Sequence, residues 1–377
     1  MKGHTIALVT NTSWNVWNFR RDLIEYLTSN GYRIIILSPQ DKYSDFLLSE
    51  GYSWFPLKKL RRKGTNPFRD VSLVMELKKL FAEHNIDLAL LYTVKPNIYG
   101  TLAAWMLGKP SICTLTGLGY SFGNNRILSL GVRYMYKVAL QKASKIVFQN
   151  PDDANVFISH SLASENNVTI IPGSGINLSR FQPVHKQEKE TCHFLFVGRM
   201  LRDKGIFEFC EAASIMAERY EDVQFTILCK ADEGNPASLT GNELRKMKAQ
   251  NHRISICQNS DDVIPYLADC DVYVLPSYRE GLPKSTLEAM AMAKPVITTD
   301  VPGCRETVKH LKNGWMIAPK STTQLVEAME EARLAGHQKL KLMGEKSRKI
   351  VETKFSNEHI LNKYLALINQ IQNVTSF

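Results

Sequence analysis

The chain has 377 residues and a formal net charge of +10. That length exceeds a typical single hydrophobic core and fits two domains. With 44 % hydrophobic and 22 % charged residues, the composition excludes a disordered chain. The longest apolar runs fall short of the roughly 18 residues that would mark a membrane span.

The opening MKGHTIALVT has too short an apolar run for a signal peptide and reads as a first strand. The seven cysteines, at 113, 192, 210, 229, 257, 270 and 304, include no CxxC pair. Such a set indicates reduced thiols in a cytoplasm, with neither a disulfide framework nor a zinc site. The positive charge is unevenly placed. Residues 1–170 carry 20 Lys and Arg against 12 Asp and Glu, residues 171–377 carry 27 against 25, and residues 51–150 carry 15 against 4. The excess in the first half suits an anionic partner, whether lipid headgroup, diphosphate or nucleic acid, or else a solubilising surface.

In chain order, TIALVT is followed by the amphipathic NVWNFRRDLIEYLTSNG and then by YRIIILS. VSLVMELKKLFAEHN leads to IDLALLYT, and NIYGTLAAWMLGK to PSICTLT. A basic helix candidate, LGVRYMYKVALQKAS, precedes KIVFQN and VTIIPGSGI. This strand–helix–strand alternation predicts a parallel sheet with helices on both faces. The polar stretch QPVHKQEKET, 182–191, reads as a linker. Alternation then resumes through HFLFVGR, GIFEFCEAASIMAERY, VQFTILC, RISICQ, DVYVLPS, STLEAMAMA and PVITTD, and the chain ends on the helical SNEHILNKYLALINQIQNV. The expected fold is α/β with two doubly wound, Rossmann-like domains facing across a cleft. They span residues 1–180 and 181–355, with a C-terminal helix, about 356–377, returning to the first domain. Ligands of such sheets sit beyond the carboxyl ends of the strands.

Two loops follow strands in the second half. In DVYVLPSYREGLPKSTLEAMAMAKP, Glu280 lies in the loop beyond the strand. Pro283, Lys284, Ser285, Thr286 and Leu287 lead into a helix whose opening amides favour a phosphate. Glu288 has two readings: a ligand-binding carboxylate, or one arm of a capping box Ser285-x-x-Glu288. Two carboxylates flanking a phosphate-binding helix start suit a ligand with diphosphate in the middle and a polyol at each end, the layout of a nucleotide-sugar. In VGRMLRDKG, Gly198 permits close backbone approach. Arg199 and Lys204 supply two cations to neutralise a leaving diphosphate; the alternative for Arg199 is a surface pair with Asp203. Asp269-Cys270-Asp271 has the look of a DxD metal motif, but it opens a strand and so lies at the wrong edge; no metal and no cofactor is expected.

FVGRMLRDKG, DVYVLPSYREGLPKSTLEAMAMAKPVITTDVPGCRE and NGWMIAP resemble the family-four retaining glycosyltransferases of GT-B fold. In the first half, NTSWNVWNFRRDLIEYL, RRKGTNPFRD, LYTVKPNIYG and TGLGYSFGN are similar to the capsule and O-antigen members of that family. These extend polyprenyl-diphosphate-linked sugars. The resemblance implies a retaining hexosyltransferase that takes a UDP-sugar donor (GalNAc, Gal or GlcNAc) to a lipid-linked sugar acceptor. Glu280 would contact the hexose and Glu288 the ribose, with Arg199 and Lys204 on the diphosphate. The leaving phosphate oxygen would help take the acceptor proton, so that no protein nucleophile is required. Many members carry an acid or histidine where Thr116 stands here.

Lys95 and Asn97, in YTVKPNIYG, are candidates for acceptor or donor contact. Arg61, Arg62 and Lys63, beside Trp54 and Phe55, form a basic loop suited to anionic lipid or the acceptor diphosphate, with the aromatics at the interface. The expected location is cytoplasmic, on the inner face of the plasma membrane. The competing functions are another GT-B enzyme such as a UDP-sugar epimerase, a transferase with a soluble acceptor, and a nucleic-acid binder. The last lacks any recognisable module, and no nucleic-acid partner is expected.

Overall fold

The computed structural model describes residues 3–61, 67–117, 126–184, 190–230, 238–239, 243, 253–258, 260 and 262–375. It divides into two compact units, Met1–Ser174 with Ile360–Phe377, and Gly175–His359.

The first unit is built on seven parallel strands: β1 (Thr5–Val9), β2 (Arg33–Ser38), β3 (Trp54–Pro56), β4 (Leu88–Tyr92), β5 (Ser111–Leu115), β6 (Lys145–Phe148) and β7 (Val168–Ile170), in the order β3-β2-β1-β4-β5-β6-β7. Every residue of β1, β4 and β5 is buried, which is why these strands read as near-continuous apolar runs. Alternation sends Ala7, Val9, Ala89 and Leu91 to one core and Ile6, Leu8, Leu90 and Tyr92 to the other. Helices Pro67–Glu83, Thr101–Met106 and Arg126–Leu140 close the first core through Leu73, Leu77, Ala103, Ala104, Val132 and Tyr136. Helix Arg21–Ser29 closes the second through Leu23, Ile24 and Leu27.

The C-terminal helix, Asn357–Thr375, joins that second core with Ile360, Tyr364, Leu367, Ile368 and Ile371, residues spaced to share one helical face. Tyr32 donates to Asn369 Oδ1 at 2.7 Å, and Tyr26 to Asn362 Oδ1. The last helix therefore returns to the first unit.

The second unit has six parallel strands: β8 (Cys192–Arg199), β9 (Val223–Lys230), β10 (Ile254–Gln258), β11 (Val272–Leu275), β12 (Val296–Thr299) and β13 (Gly314–Ile317), in the order β10-β9-β8-β11-β12-β13. Its boundary falls at Gly175, a few residues ahead of the expected 180. The Ile176 amide donates to Phe355 O at 3.0 Å, and the Asn357 amide donates to Ile176 O at 3.0 Å. These bonds stitch the stretch before the polar 182–191 segment to the second unit. Each sheet reverses its strand order once, between β1 and β4 and between β8 and β11. Those two switch points are where open α/β sheets admit ligands, beyond the strand carboxyl ends.

Candidate active site

The second unit's switch point is built from the loops that leave β8 and β11. At the end of β8, Gly198 is half-buried and a Cβ there would lie 3.3 Å from the Phe196 ring. A side chain there would require that ring to shift by a few tenths of an ångström. Arg199 is exposed at the strand end. The chain then makes a single 3₁₀ turn, Arg202–Lys204, closed by Gly205 at φ 72°. A Cβ at Gly205 would sit 2.1 Å from Pro276 O. Both the left-handed backbone and the contact with the end of β11 therefore require glycine.

That closeness fixes Lys204 against the second loop. Its ammonium pairs with Glu280 Oε1, and both side chains are largely buried. Ser277, fully buried, donates its hydroxyl to the same oxygen at 2.7 Å. The loops are also tied by backbone: the Tyr278 amide donates to Asp203 O at 2.8 Å, and the Glu280 amide to Pro302 O at 3.0 Å. Behind Glu280 stands Gly303 at φ 83°, where a Cβ would come within 2.4 Å of Glu280 O. Glu280 is thus a held carboxylate, clamped by a cation, a hydroxyl and its own backbone.

The helix Lys284–Ala291 has Pro283 as its N-cap and no side-chain cap bond. The capping-box reading of Ser285 and Glu288 is therefore wrong. The helix starts earlier than that box requires, because Pro283 presets the backbone for helix entry. The Ser285 hydroxyl is already engaged, accepting from Tyr273 OH at 2.7 Å and donating to Val197 O at 3.3 Å. Leu287 is a second correction: its amide bonds Pro283 O at 3.2 Å and its side chain belongs to the core. The amides that open the helix are those of Lys284, Ser285 and Thr286. Thr286 is fully buried, and its Oγ1 has no partner.

Glu288 is half-buried one turn further on and makes no side-chain hydrogen bond among the described residues. Burial raises its carboxyl above the ordinary value, while the charges of Lys284 and Arg180 act the other way. The residue keeps some solvent contact, which limits the rise.

Asp269 and Asp271 lie at the opposite sheet edge. Both face His193, with Asp271 Oδ2 accepting from its amide at 2.8 Å and Asp269 Oδ2 3.1 Å from Nδ1. Among the described residues no cluster of His, Cys, Asp and Glu is arranged to hold a metal.

In the first unit the expected residues fare less well. Lys95 is paired with Asp70 at 3.2 Å, with both side chains mostly buried. Asn97 is fully buried in the π-helical turn Pro96–Gly100 and donates to Thr114 O at 3.0 Å. It holds β5 in place and is not a ligand-facing residue. Thr116 is half-buried just past β5. Arg61 is exposed; Arg62 and Lys63 lie outside the described residues. Trp54 and Phe55 are not interfacial aromatics. Trp54 donates to Ser38 Oγ at 2.8 Å and packs on one core, while Phe55 meets the His84 ring at a tilt and packs on the other.

Sequence reasoning missed Ser277, Tyr273, Gly205 and Gly303, the residues that hold the two loops. The two glycines carried a signal in their positions just after strand-end loops.

Residues 5–150 match the family model described as glycosyl transferase 4-like, and residues 191–333 match glycosyl transferases group 1. This chain belongs to the family-four glycosyltransferases. Among its relatives is the N,N'-diacetylbacillosaminyl-diphospho-undecaprenol alpha-1,3-N-acetylgalactosaminyltransferase of Campylobacter jejuni, 26 % identical over 97 % of this chain and 98 % of that one. Another is the UDP-Gal:alpha-D-GlcNAc-diphosphoundecaprenol alpha-1,3-galactosyltransferase of Escherichia coli, 23 % identical over 76 % of this chain and 78 % of that one. In fold, this glycosyltransferase superposes on a glycosyltransferase from Rickettsia africae with a TM-score of 0.82 at 20 % identity, over 99 % of both chains. The two Rossmann-like units are those of the GT-B fold.

Proposed function

We propose that this glycosyltransferase moves a hexose or N-acetylhexosamine from a UDP-sugar to a sugar on a polyprenyl diphosphate, with retention at the anomeric carbon and without a metal. The observation that carries the donor half is the Lys204–Glu280 pair at the mouth of the Lys284–Ala291 helix. It puts a cation, a carboxylate and helix-opening amides at one switch point. The amides with Arg199 and Lys204 receive the diphosphate and stabilise the charge that develops as UDP departs. Glu280 accepts hydroxyls of the hexose and Glu288 those of the ribose. Clamped by Lys204 and Ser277, Glu280 suits orientation of the sugar better than attack on it. The acceptor proton passes to the leaving phosphate oxygen. The Campylobacter and Escherichia relatives, which act on undecaprenyl-diphosphate-linked sugars, support the lipid-linked acceptor.

Such an acceptor requires work at a membrane surface, in keeping with a peripheral location on the inner face. No helix among the described residues is long and apolar enough to cross a bilayer. Helix Pro67–Glu83 instead exposes Phe68, Val71 and Met75 at helical spacing, helix Thr101–Met106 exposes Trp105, and helix Arg126–Leu140 exposes Tyr134. Residues 101–150 contain six Lys and Arg and no Asp or Glu. An apolar and aromatic face with basic flanks suits an anionic leaflet.

The deciding experiment incubates the protein with UDP-hexoses and UDP-N-acetylhexosamines, with and without a polyprenyl-diphosphate-linked sugar. UDP release that depends on the acceptor, an unchanged rate in EDTA and an α-linked product from an α-linked donor are expected. Interconversion of the UDP-sugar without acceptor would show an epimerase.

A further inference from the structure

Arg20 lies between helices Ser13–Phe19 and Arg21–Ser29, at the turn that separates them. It is 3 % exposed. Its guanidinium lies 4.0 Å from the centre of the Tyr92 ring. Among the described residues no hydrogen bond and no ion pair reaches that guanidinium, and Nε is sealed from solvent without an acceptor. A buried unpaired charge is strongly unfavourable, and a ring face recovers only part of the loss.

The surroundings are short of partners too. Thr93 Oγ1 is buried without a hydrogen bond, while the Tyr92 hydroxyl lies in the core against Tyr364 and Thr114. Thr93 has φ 73°, a strained conformation for a β-branched residue and one that clusters at functional sites. Tyr92 ends β4, so this group sits at the carboxyl edge of the β1–β4 switch point, where ligands of such sheets bind. Lys95, two residues on, is already neutralised by Asp70. Of these two cations it is Arg20 whose charge is unmatched.

We propose that Arg20, seated on the Tyr92 ring, forms with the Thr93 hydroxyl an anion subsite of the first unit that takes a diphosphate. The planar guanidinium fork matches phosphate oxygens, and the Thr93 hydroxyl donates to one left over. Resting on the function proposed above, the diphosphate is that of the lipid-linked acceptor. The donor carries the same chemistry, and the kinetic arm below separates the two.

The first measurement is thermal unfolding of the full chain with and without inorganic diphosphate, in an Arg199→Ala background that weakens the donor site. A rise in Tm that disappears when Arg20→Gln is added supports the subsite; an undiminished rise overturns it. Should Arg20→Gln fail to fold, Thr93→Val and Arg20→Lys take its place, and a smaller rise in each is expected. The second measurement is steady-state kinetics of Arg20→Gln. A rise in acceptor KM of about tenfold, the loss of a charged hydrogen-bond donor, with donor KM unchanged, assigns the acceptor diphosphate. A rise in donor KM instead assigns the donor diphosphate to the same subsite. A lowered Tm with both KM values unchanged makes Arg20 a packing cation over Tyr92 and ends the proposal. If the protein transfers sugar to no lipid-linked acceptor, the diphosphate-dependent Tm shift still decides the subsite.

Discussion

The ligand edges of the two sheets are finished differently. At the β8–β11 switch point the polar side chains have protein partners: Lys204 and Ser277 hold Glu280, and Tyr273 and Val197 hold Ser285. Thr286 Oγ1 and the Glu288 carboxylate are exceptions among the described residues. At the β1–β4 switch point Arg20 Nε and Thr93 Oγ1 have none. The first arrangement is preorganised, and its groups need not rearrange when charge develops on a leaving group. The second stores unsatisfied groups whose partner must come from elsewhere. A clamped edge and an unsatisfied edge should respond to mutation in opposite ways. Removing a clamp residue costs stability and rate together. Removing an unsatisfied polar group costs binding and can even improve stability.

The strongest test of the clamped edge compares Lys204→Ala with Arg199→Ala. Both remove preorganised charge from a leaving diphosphate and should lower the transfer rate by roughly 10²–10³. Only Lys204→Ala breaks a largely buried ion pair, which strips the Lys204 ammonium from the Glu280 charge and should cost about 3 kcal/mol. Arg199 is exposed, so its variant should melt as wild type does. Equal melting temperatures for the two variants would mean that the Lys204–Glu280 pair does not hold the loops together.

Glu288 tests the same edge more gently, through pH. Its folded carboxyl is raised above the ordinary value, chiefly by burial. A carboxyl with a raised folded value favours the folded state at low pH. That contribution is lost as pH climbs through the folded value, because the charged form is disfavoured. Glu288→Gln should therefore melt higher than wild type at pH 7–8 and converge with it below about pH 4. If Glu288 holds the ribose, donor KM should rise about tenfold, the loss of a charge-assisted bond. A variant that is more stable and binds donor as well as wild type would remove Glu288 from the site.

These contrasts also show what a sequence can and cannot reveal here. The two sheets were legible because buried parallel strands such as TIALV and LALLY are apolar throughout, and because amphipathic runs separate them. Lys204, Glu280 and the helix start were legible from their place after strands. The misread cap at Ser285 shows the limit of local rules. Ser-x-x-Glu is a valid signature, but Tyr273 and Val197, distant in sequence, had already claimed the hydroxyl. Asn97 looked polar and available, yet its turn carries it into the core under β5. Arg20 was hidden for the opposite reason. In NFRRDLIEYL it reads as one of two surface arginines on an amphipathic helix. Its burial depends on a break between two helices and on a tyrosine at the end of β4.

A smaller effect is expected at the membrane. Phe68→Ser with Val71→Ser removes two of the most exposed apolar side chains of helix Pro67–Glu83. Binding to anionic liposomes should weaken several-fold, in line with roughly 1.5–3 kcal/mol for a fully buried side chain of this size and less for partial insertion. Activity on short, soluble acceptor analogues should be retained. Salt should weaken wild-type binding further, because headgroup attraction is screened beyond about 8 Å at physiological ionic strength. Unchanged liposome binding at low salt would leave this face a solvated surface.

The smallest effect belongs to Thr93, and it probes the unsatisfied edge directly. A non-glycine residue held at φ 73° carries strain of about 1–3 kcal/mol. Thr93→Gly releases it but adds about 0.5–1 kcal/mol of backbone entropy lost on folding. It also removes a buried hydroxyl that has no partner. The net expectation is a Tm equal to wild type or a few degrees higher, together with weaker acceptor binding. A threonine retained there for packing alone would give the reverse: a lower Tm and an unchanged acceptor KM. Thermal melts and acceptor titrations on this one variant therefore show whether the strain at the end of β4 holds a binding group in place or is incidental to the fold.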